Sequence, residues 1–377
     1  MSPLRIPYTQ PFPPAIIFPK AASSVEGAIE SLVNFFTAPP SPSLHGINGH
    51  QAVILTGAGI SVASGLSDYR GDNGTYVRNK AYRPTYYHEF VTRHEARKRY
   101  WARSYVGWPG LLKSKPNSTH YSITELGRKG YVSRVITQNV DSFHPVAHPS
   151  LSTIELHGFL RSVICINCHN LVPRNEFQQS LARLNPAWAD FLDEMLESGA
   201  LDTNNPEKQR KRGLKINPDG DVDLPHAPYS SFRYPACPHC LEHPPLVSPS
   251  KDKPPSQAIV ETESDGAWSP SSTAGILKPA VTMFGESTSP AARSAAEEAI
   301  DEASRLLIMG SSLATYSAYR LVDRARKRGM AMGIINVGGV RNESQLLGDL
   351  LNRNHVRCDH RSEAVLPEVA SRLQIVR

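Results

Sequence analysis

The run VILTGAGISVASGLSDYRG, Val53 to Gly71, sets the architecture of this chain. Val53, Ile54 and Leu55 form a short apolar run that stops at Thr56 and three small residues, the pattern of a buried parallel strand ending in a tight turn. Gly57, Ala58 and Gly59 keep that turn nearly bare, so a pyrophosphate can approach it and the amides of the next helix start point at its charge. Val62 takes the place of the third glycine of the usual dinucleotide fingerprint. Tyr76, Val77 and Arg78 fall where an ordinary dehydrogenase carries its ribose-binding acid, so that reading is disfavoured. Ser67, Asp68, Tyr69 and Arg70 read instead as a polar loop folding over a dinucleotide.

The same logic recurs downstream. A strand from Tyr131 to Ile136 ends in Thr137-Gln138-Asn139-Val140-Asp141, and a further one runs through Ile154-Glu155-Leu156 to His157 and Gly158. Leu306 to Met309 ends at Gly310-Ser311-Ser312, and Ile334-Ile335 at Asn336-Val337-Gly338. Open parallel sheets bind ligands at the C-terminal ends of their strands, so these polar ends line one edge. The expected fold is α/β, a doubly wound parallel, Rossmann-like sheet with a second, smaller zinc-binding domain. His157 is a candidate base, with a structural histidine at a strand end as the plain alternative.

The zinc expectation comes from cysteine spacing. Four of five cysteines form two C-x-x-C pairs, Cys165/Cys168 and Cys237/Cys240, with Cys358 apart. Two such corners can converge on one tetrahedral thiolate site with no open position for chemistry, hence a structural zinc. A redox dithiol would open a helix in a thioredoxin-like unit, and neither corner resembles one.

A length of 377 residues and an apolar share of 40% supply a real core. The sequence contains no run of about 18 apolar residues and no signal-peptide pattern, so neither membrane nor secretion is expected. The net charge of +6, from 41 basic and 35 acidic residues, is spread along the chain. Its clusters, Arg97 to Arg99 and Lys208 to Arg212, read as solvated faces, and no direct nucleic-acid partner is expected.

Residues 1–24, with six prolines, two basic residues and no acid, read as a disordered tail or targeting segment. Helices are expected over Val25–Phe36, Tyr87–Tyr105, His120–Lys129, Phe177–Ser198 and Ala291–Ala303. Residues 243–272, rich in Pro, Ser and charge, read as a disordered insertion. The remaining boundaries place a catalytic domain at 25–377. Its Rossmann part covers 25–75, 117–160 and 275–377, with a helical module at 76–116 and the zinc-binding domain at 161–242.

Taken together, GAGIS, SGLSDYRG, TQNVD, ELHG, the two C-x-x-C pairs, LKP followed by FGE, GSS and NVG stand in an order that resembles the sirtuins, NAD-dependent protein-lysine deacylases, across roughly residues 50 to 360. RYWARSYVGWP from Arg99 and the NPDGDV run further resemble the class II branch, which points to the mitochondrial matrix, with the cytoplasm or nucleus as the alternative. The resemblance implies a Rossmann domain and a small zinc domain, with NAD and an acyl-lysine protein substrate meeting in a cleft. It assigns Gly57, Ala58, Gly59, Asp68, Tyr69 and Arg70 to the cofactor loop, Gln138 and Asn139 to ribose contacts, and Asp141 to the nicotinamide carboxamide. Gly310, Ser311, Ser312, Asn336 and Gly338 match phosphate and adenosine contacts, and Cys358 the adenine side, either by its thiol or as a small buried residue whose backbone does the work. His157 matches the general base, with Asn139 beside it as a catalytic residue. Thr282, Phe284, Gly285 and Glu286 match the substrate-binding segment.

Two departures stand out. Ser142, Phe143, His144 and Ala147-His148 replace the usual run after Asp141, which points to a reshaped acyl tunnel. Thr282 and Met283 replace Val and an aromatic residue, which suits a looser pocket or a longer acyl chain. The implied reaction is NAD-dependent deacylation. Mono-ADP-ribosylation of protein at the same NAD site is the second reading, and a non-catalytic NAD sensor the third.

Overall fold

The computed structural model describes residues 8–9, 12–40, 51–72, 74–80, 82–201, 215–224, 226–248, 254–347 and 354–376. The chain divides into two compact units, the first built from residues 1–82, 114–157 and 288–377, the second from 83–113 and 158–287.

In the first unit six strands form one parallel sheet in the order Val356–Cys358, Ala331–Ile335, Arg305–Met309, Ala52–Thr56, Val132–Thr137, Ser152–Glu155. The central strands are buried along their whole length because helices cover both faces. Alternation within the continuous apolar runs decides which face each residue serves. Ala52, Ile54, Leu307 and Met309 pack with helices Val25–Thr37, Ser118–Arg128 and Ser362–Arg372. Val53, Leu55, Leu306 and Ile308 pack with helices Pro290–Glu302 and Tyr316–Lys327. Ser24 caps the first of these helices, its Oγ accepting from Gly27 N at 3.1 Å.

The segment before that helix is ordered where it is described. Phe18 bridges Arg357 in antiparallel fashion, and Ile16 N donates to Glu343 Oε1 at 2.9 Å. Residues 12–24 are thus part of the unit and not a loose tail; their prolines suit an extended edge segment. Residues 1–7 lie outside the described residues.

The second unit holds an antiparallel sheet of Leu277–Val281, Gly158–Cys165 and Leu171–Pro173, packed with helices Tyr87–Thr92, His94–Lys113, Arg174–Leu184 and Pro186–Glu197. Two helices expected as single runs are broken. Pro186 has no N–H to continue the Phe177–Ser198 run and restricts Asn185 before it, so a new helix starts there. Arg93, extended at φ −117°, separates the other pair. Of the residues taken for a separate helical module, 76–116, those from 83 to 113 fold with the cysteine-bearing unit, as does strand Leu277–Val281, and the rest fold with the first unit.

The expected disordered insertion also needs correction. Trp268, 4% exposed, stacks on Tyr234 at 5.9 Å, and its Nε1 donates to Ala274 O at 3.0 Å. Ser269 N donates to Glu261 O and Glu263 N to Ala267 O, so one tryptophan anchors a Pro- and Ser-rich segment. Residues 249–253 lie outside the described residues. Arg97, read as a solvated cation, is buried: it donates to the carbonyls of Phe90 and Val91 and to Tyr234 Oη, and lies over the Trp268 ring. The Lys208 to Arg212 cluster lies outside the described residues. Among the described residues no helix is long and apolar enough to cross a membrane.

Candidate active site and metal centre

Parallel strands end together, so the first unit's sheet brings its polar C-terminal loops to one edge. Gly57 and Gly59 meet Gly310 there. A Cβ on Gly57 would stand 2.7 Å from Gly310 O, and one on Gly59 2.8 Å from Gly310 Cα. Gly57 N donates to Met309 O and Gly59 N to Gly310 O. These two amides are taken by the neighbouring strand end. The glycines let two loops close on each other, and Gly310 at φ +57° completes the fit. Ala58 to Ser64 then form a 3₁₀ helix.

Side chains of the adjacent loops interlock. Gln138 Nε2 donates to Thr56 O at 3.2 Å and Ser311 Oγ at 2.7 Å, and its Oε1 accepts from Thr315 Oγ1 at 3.0 Å. Asn139 Nδ2 donates to Gly57 O at 3.2 Å and Ser61 Oγ at 3.1 Å. Ser61 Oγ donates to Asp141 Oδ2 at 2.7 Å, while Phe143 N donates to Asp141 Oδ1 at 3.0 Å. Burial pushes the Asp141 carboxyl above the usual carboxylate range despite these bonds. His157 sits on the same edge, Nδ1 at 3.1 Å from Gln138 O and Nε2 at 2.7 Å from Ser317 Oγ. Its pKa is lowered by burial, which keeps the imidazole neutral at pH 7 with one ring nitrogen unprotonated.

The polar loop after the glycines is closed by its own residues. Asp68 Oδ1 accepts from Gly71 N at 3.1 Å, and burial raises its pKa. Tyr69 packs near the Tyr76 ring, and the Arg70 guanidinium lies 4.9 Å over that ring. Arg70 Nε also donates to Tyr8 O at 2.7 Å. At the other end of the sheet, Asn336 Nδ2 donates to the carbonyls of Val337 and Gly338, and Gly338 N to Asp359 Oδ1 at 2.8 Å. Ser312 O accepts from Arg341 N. Cys358 does not offer its thiol: the side chain is fully buried, its pKa is pushed up to about 12 by burial, and Sγ faces Ile334 O. Its carbonyl accepts from Arg357 and from Asn336 N.

Sequence reasoning missed the support beneath this edge. Thr137 Oγ1 accepts from Asn139 N at 3.1 Å and from Thr56 Oγ1 at 2.9 Å. Thr56 Oγ1 meets His144 Nε2 at 2.8 Å, and His144 Nδ1 meets His148 Nε2 at 2.9 Å. His120 packs its ring 5.0 Å from that of His144. All three histidines are buried with lowered pKa values, burial being the main cause in each. The departures at His144 and His148 are therefore absorbed by packing under the strand ends. Only the i, i+4 spacing of His144 and His148 hinted at the pair.

The second unit carries the remaining predicted residues. The Sγ atoms of Cys165, Cys168, Cys237 and Cys240 all lie within 4.8 Å of one another, with Cys165–Cys240 at 3.5 Å and Cys168–Cys237 at 3.6 Å. A tetrahedron of thiolates about 2.3 Å from a zinc ion has edges of about 3.8 Å, so the four sulfurs fit that ion and are far too distant for disulfides. Hydrogen bonding between the two thiols lowers the pKa of Cys165 and raises that of Cys237. Three of the four are buried, which suits a closed structural site.

Thr282, Phe284, Gly285 and Glu286 form one turn. Glu286 Oε2 accepts from Met283 N at 2.8 Å and pairs with Lys278 Nζ at 3.2 Å, and Gly285 adopts φ +81°. Phe284 O accepts from Tyr87 N at 2.9 Å. Met283, expected to loosen the pocket, packs in the second unit's core at 6% exposed.

Comparison with known proteins agrees with this geometry. The profile of the Sir2 family matches residues 57–317, more than half of the chain. The NAD-dependent protein deacylase SIR4 of Batrachochytrium dendrobatidis is 37% identical over 86% of this chain and 90% of its own. The Drosophila melanogaster NAD-dependent protein deacylase Sirt4 is 32% identical over 84% and 81%. Among solved structures, a Sir2 protein with deacetylated p53 peptide and 3'-O-acetyl ADP ribose superposes with a TM-score of 0.55 at 19% identity, covering 92% of this chain and 99% of that one. That likeness is one of fold. The matched profile and the relatives' extent over a sheet edge with this arrangement place the chain in the Sir2 family.

Proposed function

We propose that this chain is an NAD-dependent protein-lysine deacylase, and the observation that carries the proposal is the two-sided grip on His157 at the strand edge. A carbonyl can only accept, so Gln138 O fixes the hydrogen on Nδ1 and leaves the Nε2 lone pair as the base. Bound NAD would supply the ribose carbon to which the acyl oxygen bonds as nicotinamide leaves. The chain's part is to hold and shield that centre. Gln138 and Ser311 steady the loops that would line the ribose and phosphates, and Asp141, braced by Ser61 and Phe143 N, would meet the nicotinamide amide. Asn139, fixed on Gly57 O, would contact the ribose. His157 Nε2 would then take the proton of a ribose hydroxyl, freeing that oxygen to attack the acyl carbon; the lysine amine leaves as a water molecule adds there, and the acyl group ends on ADP-ribose.

Cys165, Cys168, Cys237 and Cys240 would hold one zinc ion, which stabilises the fold of the second unit. Turn 282–286, shaped by the Lys278–Glu286 pair, would receive the acyl-lysine segment. Mitochondrial location is proposed on the class II resemblance alone. Mass spectrometry of the products tests the reaction: O-acyl-ADP-ribose with free lysine supports it, whereas ADP-ribose left on the target protein moves the assignment to a mono-ADP-ribosyltransferase.

A further inference from the structure

We propose that Ser317 is a positioning residue for His157, holding the imidazole in one place both before and after it takes a proton; this rests on the deacylase reading above. Ser317 lies in the first turn of helix Tyr316–Lys327, with its Oγ 2.7 Å from His157 Nε2. Nδ1–H is committed to Gln138 O at 3.1 Å, so in the neutral ring Nε2 is a lone pair and the Ser317 hydroxyl donates to it. Once Nε2 carries a proton it needs an acceptor, and the same hydroxyl can turn and accept. Of the common small side chains only a hydroxyl serves both states from one position.

The surroundings fix Ser317 as firmly as the ring. Thr315 Oγ1 donates to Gln138 Oε1 at 3.0 Å, tying the helix start to the residue whose carbonyl holds Nδ1. Ala318, next along, is fully buried in the sheet-facing core. Gln138 and the helix start therefore clamp His157 from two sides. During reaction the Ser317 hydroxyl turns its hydrogen away and frees the Nε2 lone pair, the ribose hydroxyl's proton goes to that lone pair while the ribose oxygen keeps the electron pair, and the new Nε2–H then donates to Ser317 Oγ. No bond to Ser317 breaks.

The test compares full-length wild type, Ser317→Ala and Ser317→Thr. Steady-state deacylation of an acyl-lysine peptide gives kcat and KM, NAD affinity is measured directly, and 15N NMR of histidine, assigned against His157→Asn, reads the ring. Ser317→Ala is expected to lower kcat by about tenfold to a hundredfold, the range for removing a group that orients a catalytic side chain, with KM and NAD affinity within about twofold. Ser317→Thr should restore most of the loss, and the Nε2 signal of Ser317→Ala should move toward that of an unbonded lone pair. Unchanged kcat in the Ala variant, or an effect on KM alone, overturns the positioning role; an unmoved Nε2 signal overturns the hydrogen bond itself. A wild type that deacylates nothing defeats the deacylase reading, and the NMR result then still decides the hydrogen bond.

Discussion

Replacing Arg357 by Met should damage one end of the first unit's sheet in a predictable amount. The guanidinium is fully buried, with Nε 2.7 Å from Glu343 Oε1, Nη1 2.9 Å from Asn336 O and Nη2 2.6 Å from Gly338 O. Glu343 in turn accepts from Ile16 N and from Val340 N. Methionine fills much of the volume but leaves a buried carboxylate unpaired and carbonyls of the Asn336–Gly338 loop without a donor. Breaking a buried ion pair from one side costs about 3–5 kcal/mol, equivalent to roughly two to four powers of ten in an opening equilibrium. All four tryptophans, at 101, 108, 188 and 268, lie in the second unit, so fluorescence does not report this site. Hydrogen exchange of the amides in Ala331–Ile335 does. Their exchange should accelerate by about a hundredfold or more, and adding Glu343→Leu should cost less than it does in the wild type, because the pair is already broken. An acceleration below about tenfold, or costs that simply add, would refute the account of this ion pair.

Other consequences are as direct. Gly59→Ala sets a Cβ against Gly310 backbone, whereas Gly338→Ala meets nothing within 4 Å and is strained only by its φ of +76°; titration with NAD should show the larger loss at Gly59, and the reverse order would be wrong for this packing. Cys237→Ser should abolish the zinc content measured by elemental analysis and shift the emission of Trp268, which stacks on nearby Tyr234; a variant that keeps one zinc per chain contradicts the tetrad. Because catalysis needs neutral His157 and burial lowers its pKa from 6.5, the acid limb of the rate profile should fall below pH 6.5; a midpoint above that value counts against His157 as the base. His120, lowered to about 3, and buried His144 and His148 have folded pKa values below their unfolded ones. Their stability contribution is complete above pH 6.5 and is lost as pH falls, by about 1.4 kcal/mol per pH unit for His120; urea midpoints followed by far-UV circular dichroism from pH 7 to 5 should decline, and a flat profile would contradict this.

What the sequence revealed and what it hid follow from the same physics. The sheet was legible because each central strand is a continuous apolar run ending in Gly, Ser, Asn or Gln, and both facts arise from burial on two faces and exposure at one edge. The cysteine tetrad was legible because its spacing is dictated by one ion's geometry. The close approach of the Gly310 backbone to Gly57 and Gly59 was not, since a bare turn looks the same whether or not another loop closes on it. The order of residues 254–272 was hidden for another reason: composition averages over a segment, while a single buried Trp268 anchors it. Arg97 and Arg357 were invisible as structural cations, because burial of a guanidinium depends on carbonyls brought from distant parts of the chain. The histidines beneath Thr56 and Thr137 belong to the same class.

The most direct measurement is NAD-dependent nicotinamide release from lysine peptides bearing acetyl, succinyl, hydroxymethylglutaryl, lipoyl and long-chain acyl groups, with His157→Tyr beside the wild type. A deacylase with His157 as its base should release nicotinamide over many turnovers only when an acyl-lysine is present, and the variant, blocked after the first cleavage, should lose that multiple-turnover release. Release that ignores the acyl group, or that survives in the variant, would contradict the account.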